Sequence, residues 1–187
     1  MKKDLRLTRR GLYPLFFLLV LLGQTISSFG QAKDSRGKDF WVMFNANLSV
    51  PTITVFITSD VNTTGTVSIP GMGFSTNFTV TANTVTPVVL PTAVSQHTNN
   101  VKDNKGVHIT SVEEVTVYGL NYAPFTTDAF LSLPTDVLGL EYIVLTYGGL
   151  AARSSFGVVA TQNNTTVTIT PAVALEAARQ TFLIPSP

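Results

Sequence analysis

Few residues in this chain have side chains able to move protons or hold ions. There are two histidines, His97 in a polar stretch and His108 on the outward face of an alternating segment. Serine hydrolysis needs a nucleophile, a histidine and an orienting acid within hydrogen-bond reach. No Gly-any-Ser-any-Gly elbow occurs, and Ser154-Ser155 have no histidine nearby in sequence. A carboxylate pair for glycoside cleavage would come from Asp39, Asp60, Asp103, Glu113, Glu114, Asp128, Asp136, Glu141 or Glu176. Most of these sit among turn residues: Glu113-Glu114 reads as the turn between two strands. Asp128 and Asp136 flank Ala129 to Pro134, where they could face one another but fit capping better. Asp60-Val61-Asn62-Thr63-Thr64-Gly65 begins like a calcium loop and then fails, because Gly71 stands where a bidentate Glu is needed. A hairpin turn explains that segment. Zinc has no ligand set, and Gly71-Met72-Gly73 opens no helix that would make it a phosphate cradle. The expectation is no catalytic residue, no metal and no cofactor.

What is left is recognition chemistry. Asn121, Tyr122, Phe125, Thr126, Thr127 and Asp128 form a polar and aromatic loop after a strand, and aromatics beside hydroxyls are a common binding surface. The competing reading packs Tyr122 and Phe125 beneath the loop. Trp41, inside the first strand, reads as a core anchor. Sequons at Asn47, Asn62, Asn77, Asn163 and Asn164 arise freely in a Thr-rich chain.

These residues need a scaffold, and the composition says which. The chain has 187 residues, no cysteine and a formal charge of +1. Five of its basic residues fall in the first thirty, against one acid there; the other 157 residues carry 7 basic and 10 acidic side chains. The basic balance therefore belongs to the leader, and no nucleic-acid footprint remains. Residues 1 to 11 are basic and polar, Leu12 to Leu22 are almost wholly apolar, and small residues follow. That is the pattern of a secretory signal peptide over residues 1–30, with cleavage after Gly30 or Ala32. The apolar run is too short for a bilayer, which takes about 20 residues. Without cysteine there is neither a lipoprotein anchor nor a disulfide, so an exported domain must rely on burial. The exported part is expected to be secreted or on the cell surface, with no stable membrane span.

In those 157 residues there are 25 Thr, 21 Val and 7 Ile, so about a third are β-branched and suited to pleated surfaces. Alternation is plain: Val55 and Ile57 against Thr54, Phe56 and Thr58; Val67 and Ile69 against Thr66 and Ser68. Phe78/Val80, Val107/Ile109, Val115/Val117 and Val167/Ile169 repeat it. Turn residues separate the runs. Strands are predicted near 40–45, 53–59, 65–70, 75–82, 85–90, 106–111 and 115–121. The fold class is all-β, an antiparallel β-sandwich-like unit, with a propeller-like set of repeated sheets as the alternative.

The sequence also resembles itself at an offset near 102 residues. Gly37-Lys38-Asp39-Phe40-Trp41-Val42-Met43 and Gly139-Leu140-Glu141-Tyr142-Ile143-Val144-Leu145 share the order Gly, any, acid, aromatic, apolar, Val, apolar. Asn62-Thr63-Thr64 with Val67 to Pro70 likewise matches Asn164-Thr165-Thr166 with Val167 to Pro171. The expected organisation is a short linker over 31–36, a first unit over 37–138 and the start of an incomplete second unit over 139–187. Its unfinished C-terminal sheet edge would seek a pairing partner.

Several blocks resemble the N-terminal domain family of the IgGFc-binding protein, found in large exported proteins including bacterial ones. They are Gly37 to Phe44, Gly106 to Thr110 through Val115 to Gly119, Asn121 to Asp128, Leu133 to Asp136, Gly139 to Tyr147, and Phe156 to Pro171. The resemblance implies a non-enzymatic secreted or surface recognition and adhesion module with an extracellular protein or glycan as ligand; a structural spacer and a carbohydrate-active enzyme fragment are the alternatives. It assigns no residue to an immunoglobulin contact. The leader yields the first prediction: the exported product begins at Gln31 or Lys33, and N-terminal mass spectrometry finding Met1 intact would refute the cleavage.

Overall fold

The computed structural model describes residues 34–97, 101–145, 156–170 and 181–183, the last three by backbone alone. The leader with both cleavage sites, Ser154-Ser155, and most of the stretch from Pro171 onward lie outside the described residues. The strands are β1 (Arg36–Val42), β2 (Thr52–Thr58), β3 (Thr63–Ile69), β4 (Phe74–Val80), β5 (Val85–Leu90), β6 (Lys102–Asp103), β7 (Val107–Tyr122), β8 (Asp128–Leu131), β9 (Gly157–Val159) and β10 (Thr181–Leu183). Single 3-10 turns occupy Pro70–Met72, Thr92–Ser95 and Thr135–Val137. No helix among the described residues is long and apolar enough to cross a membrane. The described residues are all-β, as the β-branched composition predicts.

One seven-stranded antiparallel sheet is built around β7, in the order β4-β3-β7-β2-β5 with β1 and β8 also on β7. The first half of β7 takes β3 on one flank, Ile109 opposite Val67, and β1 on the other, Ile109 opposite Phe40. Its second half takes β2, Val117 opposite Ile57, and β8, Gly119 opposite Phe130. Between the halves the register on β1 jumps: Thr110 faces Asp39 and Val115 faces Gly37. Four residues of β7, 111–114, are thus set against Lys38 alone, an enlarged bulge that bends the strand. The sheet curls at this bend until its two end strands, β4 and β5, approach one another, where Thr86 Oγ1 donates to the Thr79 carbonyl at 2.9 Å. The result is nearly a barrel.

This corrects the expected turn at Glu113-Glu114, because β7 is continuous across it. Polar side chains solvate a bulge as well as a turn, so composition does not separate them. What holds the bulge is specific: Glu113 N donates to Thr63 Oγ1 at 3.0 Å, Ser59 Oγ donates to the Glu114 carbonyl at 2.7 Å, and Ser111 Oγ donates to the Glu113 carbonyl. A smaller sheet accompanies the antiparallel one. β6, β10 and β9 form a separate three-stranded sheet whose pairings are parallel.

The alternating residues fill the interior as their period predicts. Phe40, Val42, Ile53, Val55, Ile57, Val67, Ile69, Phe78, Val80, Val107, Ile109, Val115 and Val117 form one buried cluster. Two glycines shape it. Gly65 faces Phe78 across β3–β4, and a Cβ there would run into the Phe78 ring and the Thr110 carbonyl oxygen. Gly119 faces Phe130 across β7–β8 in the same relation. Each ring lies over the place a side chain would take, so the pair packs as one unit.

The two similar segments have different surroundings. Gly37 to Val42 lies in β1, while Gly139 to Leu145 lies outside any strand, with Leu140, Tyr142, Ile143, Val144 and Leu145 exposed. Residues 165–170 are likewise outside any strand despite their alternation. Period 2 records what a segment offers to a neighbour, and pairing needs the neighbour as well. The Gly65–Phe78 unit makes the second prediction: Gly65→Ala destabilises by about 1–3 kcal/mol through overpacking. This is read as a lower urea midpoint at unchanged slope; an unmoved midpoint would show that ring and carbonyl can both yield.

Candidate functional site

The outward faces of the two halves of the sheet differ in chemistry. Around β1, the first half of β7, β3 and β4, the outward residues include His108, Thr110, Thr66, Ser68, Ser75, Asn77 and Thr79. Around β5, β2, the second half of β7 and β8, one row runs Pro87, Phe56, Tyr118, Leu131 across four paired strands. The next runs Val89, Thr54, Leu120, Ala129, and Tyr122 stands opposite Thr52 beyond it. No charged side chain occurs in these rows. Val89, Tyr118, Tyr122 and Leu131 are exposed. Phe56 and Leu120 between them are half-buried and Thr54 is buried, so the exposed apolar groups are a candidate interaction surface.

Two loops end this face. In the loop after β7, Thr126 N donates to the Ala123 carbonyl at 3.1 Å, closing a turn over Ala123-Pro124-Phe125-Thr126. Phe125 has φ +66°, the third position of a type II turn, where Gly or Asn is usual. Its side chain is fully exposed, at 105%. The loop before β2 places Leu48 and Val50, both exposed, beside it. Asn47 ties the two loops together: its Nδ2 donates to Asn121 Oδ1 at 2.9 Å and to the Thr126 carbonyl at 2.6 Å. Its Oδ1 accepts from Leu48 N at 2.7 Å and from Thr126 Oγ1. Asn121 Nδ2 in turn donates to the Asn45 carbonyl at 2.8 Å.

The six residues singled out from the sequence divide into two groups. Asn121, 6% exposed, faces the interior and plugs this end of the sheet. Thr126 is bonded to Asn47, and Thr127 Oγ1 donates to the Ala123 carbonyl at 3.1 Å. These three build the loop. Tyr122 and Phe125 are exposed, and so is Asp128, although it pairs with Asn121 and shares the inward-facing side of the strand pair. The alternative of aromatics packed beneath the loop is therefore not what the structure shows. Sequence reasoning missed Asn47, Phe56, Tyr118, Leu120 and Leu131. A signal for part of this exists: Ile53 to Ile57 is apolar on both faces except at Thr54, the pattern of a strand with something on each side.

Other expectations change too. Trp41 is not a core anchor; it lies on the outward face of β1, opposite to Phe40 and Val42. There it stacks on His108 with centroids 4.2 Å apart and planes 5° apart. His108 Nε2 sits 2.7 Å from Asp39 Oδ2. His97, read as a residue of a polar loop, has only 5% of its side chain exposed. Its ring nitrogens lie 2.8 Å from Asp103 Oδ2 and 2.9 Å from the Phe44 carbonyl oxygen. Both histidines thus brace strands. Asp128 and Asp136 do not face one another. Asp128 is level with Asn121, while Pro134 packs on Gly37, which is level with Val115. Six residues of strand separate those levels, roughly 20 Å at strand rise. Asp136 lies in the first turn of the 3-10 segment after Pro134.

The Asn47 knot gives a third prediction. Asn47→Ala leaves the partly buried Asn121 amide and the Thr126 carbonyl short of partners, costing about 1–3 kcal/mol. Amide hydrogen exchange is expected to speed up in residues 45–51 and 121–127 together; acceleration in one loop alone would show that Asn47 does not couple them.

Comparison with known proteins places this surface at the edge of a recognised segment. No curated protein and no solved structure matches the chain. The blocks from Gly37 to Phe44 and from Gly106 to Thr127 fall outside the one matched stretch, and those from Asp128 on fall within it. Residues 128–185, from the first residue of β8 onward, match the family model described as IgGFc binding protein.

Proposed function

We propose that this chain is an exported, non-enzymatic recognition and adhesion module that binds an extracellular glycoprotein through the outward face of β2, β5, β7 and β8 and the loop that ends it. The observation that carries the reading is Phe125. A non-glycine residue in the left-handed region costs about 1–2 kcal/mol, and an exposed ring gains nothing from folding in return. Strain of this sort collects where a ligand is met. Leu48 and Val50 on the loop that Asn47 ties to this one, and Tyr122 at the end of β7, are exposed as well, so the apolar groups at this end of the sheet are open to a partner. Tyr and Phe faces also suit the C–H faces of sugar rings, which keeps a glycan within reach of the same surface.

The matched family supports binding as the general role. Export rests on the leader over residues 1–30, which also makes secretion or display on the cell surface part of this proposal, as is the division into units at 37–138 and 139–187.

The test is a pair of variants measured against mucin glycoprotein, its deglycosylated form and immunoglobulin Fc. Phe125→Gly relieves the left-handed strain, so its melting temperature stays equal or rises while affinity falls about 10-fold or more. Tyr122→Ala loses affinity likewise. If no probe saturates the unaltered chain, or if Phe125→Gly binds as well as the original, the face is a spacer surface and the proposal is wrong.

A further inference from the structure

The open edge of β8 and the unpaired stretch 139–145 lie a few residues apart in one chain, and each lacks what the other has. β8 pairs with β7 on one side only, and nothing among the described residues pairs with its other edge. All four of its residues are exposed. Phe130, on the inward face, and Leu131, on the outward face, remain 37% and 44% exposed. A strand that completed this edge would need apolar side chains on both faces.

Residues 139–145 have that composition. By alternation Leu140, Tyr142 and Val144 fall on one face, with Ile143 and Leu145 joining Glu141 on the other. Ile143 is 91% exposed, and all five apolar residues of this run are exposed. The order Gly, any, acid, aromatic, apolar, Val, apolar is the one that already forms a strand on β7, as β1. So a segment of proven strand pattern stands in water a few residues along the chain from an unpaired strand edge.

We infer that residues 139–145 of one copy add as a strand to the β8 edge of a second copy, and that the exchange is reciprocal. The chain's own segment does not cover its own β8. The link between them is held at β1, where Pro134 packs on Gly37 and the 3-10 turn Thr135–Val137 lies against the strand. A second copy is the favoured partner because donor and acceptor occur in the same chain and a two-fold exchange satisfies both edges at once. Charge opposes it little: the 157 residues after the leader carry 7 basic and 10 acidic side chains, and the acids at the contact are Asp128 and Glu141. Strand addition of this kind draws its affinity from main-chain hydrogen bonds and its register from alternating side chains. The donor residues Ile143 and Tyr142 lie outside the Phe125 loop, while the acceptor strand β8 borders the proposed ligand face, so Ile143→Lys tests the pairing without altering that face.

The test uses the purified chain in light scattering after size exclusion, alone and as Ile143→Lys. The unaltered chain is expected at twice its monomer mass, and Ile143→Lys at the monomer mass with an unchanged circular dichroism spectrum. Because the chain has no cysteine, the double variant Ala129→Cys/Tyr142→Cys adds a second reading free of background. Oxidation is expected to give covalent dimers on a non-reducing gel. A monomer at all concentrations, a dimer unaffected by Ile143→Lys, or an intramolecular disulfide in the cysteine pair would each overturn the assignment, the last by showing that the segment folds back on its own edge.

Discussion

Strand β7 takes on neighbours along both of its flanks and along its whole length, and the fold depends on its remaining one strand while it changes direction. Four strands share it because it is 16 residues long, with β3 and β2 taking successive stretches of one flank and β1 and β8 of the other. The bulge at residues 111–114 divides each flank in two. Ser59, Thr63 and Ser111 hold that bulge through side-chain oxygens, so three hydroxyl residues in a Thr-rich chain have a structural role their abundance conceals. The interior follows from the bend: odd-numbered β7 residues on both sides of it face the same buried cluster.

The same bend accounts for the two unlike outward faces. Once the halves of β7 point in different directions, each half carries its own exterior, one of hydroxyls and one of apolar and aromatic side chains. The Asn47 knot then fixes the rim of the apolar face. Asn121 enters that knot from the interior side of the sheet while Tyr122, the next residue, stands outside, so adjacent residues serve cohesion and recognition through the alternation of a single strand. Positioning of Phe125 is thus inherited from the sheet through two amide side chains.

Much of this was legible in advance. The inward residues of β2, β3, β4 and β7 follow from period 2, since burial of one face imposes it. The segment from Asn121 to Asp128 stood out by its residue types, although Asn121 and Tyr122 end β7, Asp128 opens β8, and only 123–127 are loop. Three features were not. Glu113-Glu114 satisfies a bulge and a turn equally, and only the partner strand distinguishes them. Trp41 has the size of a core residue, but its parity places it opposite Phe40, and parity outweighs size when a strand has one buried face. Asn47 and Asn121 are 74 residues apart, and no local pattern announces a hydrogen bond across that distance. Residues 139–145 show the reverse case: a strand pattern is readable there, and what the pattern pairs with lies outside its own neighbourhood.

The central position of β7 also orders events in time. β1, β2 and β3 are made first, and each needs β7, whose last residue is Tyr122, before its edge is satisfied. Contacts so distant along the chain form slowly, because a large loop must close before any pairing compensates the lost freedom. A chain threaded from its N-terminus through a narrow conduit would have some seventy residues across before its first strand could find a mate. β1 therefore stays without a partner until the residues from Val107 onward are available, so the order in which strands find partners departs from the order in which they are made.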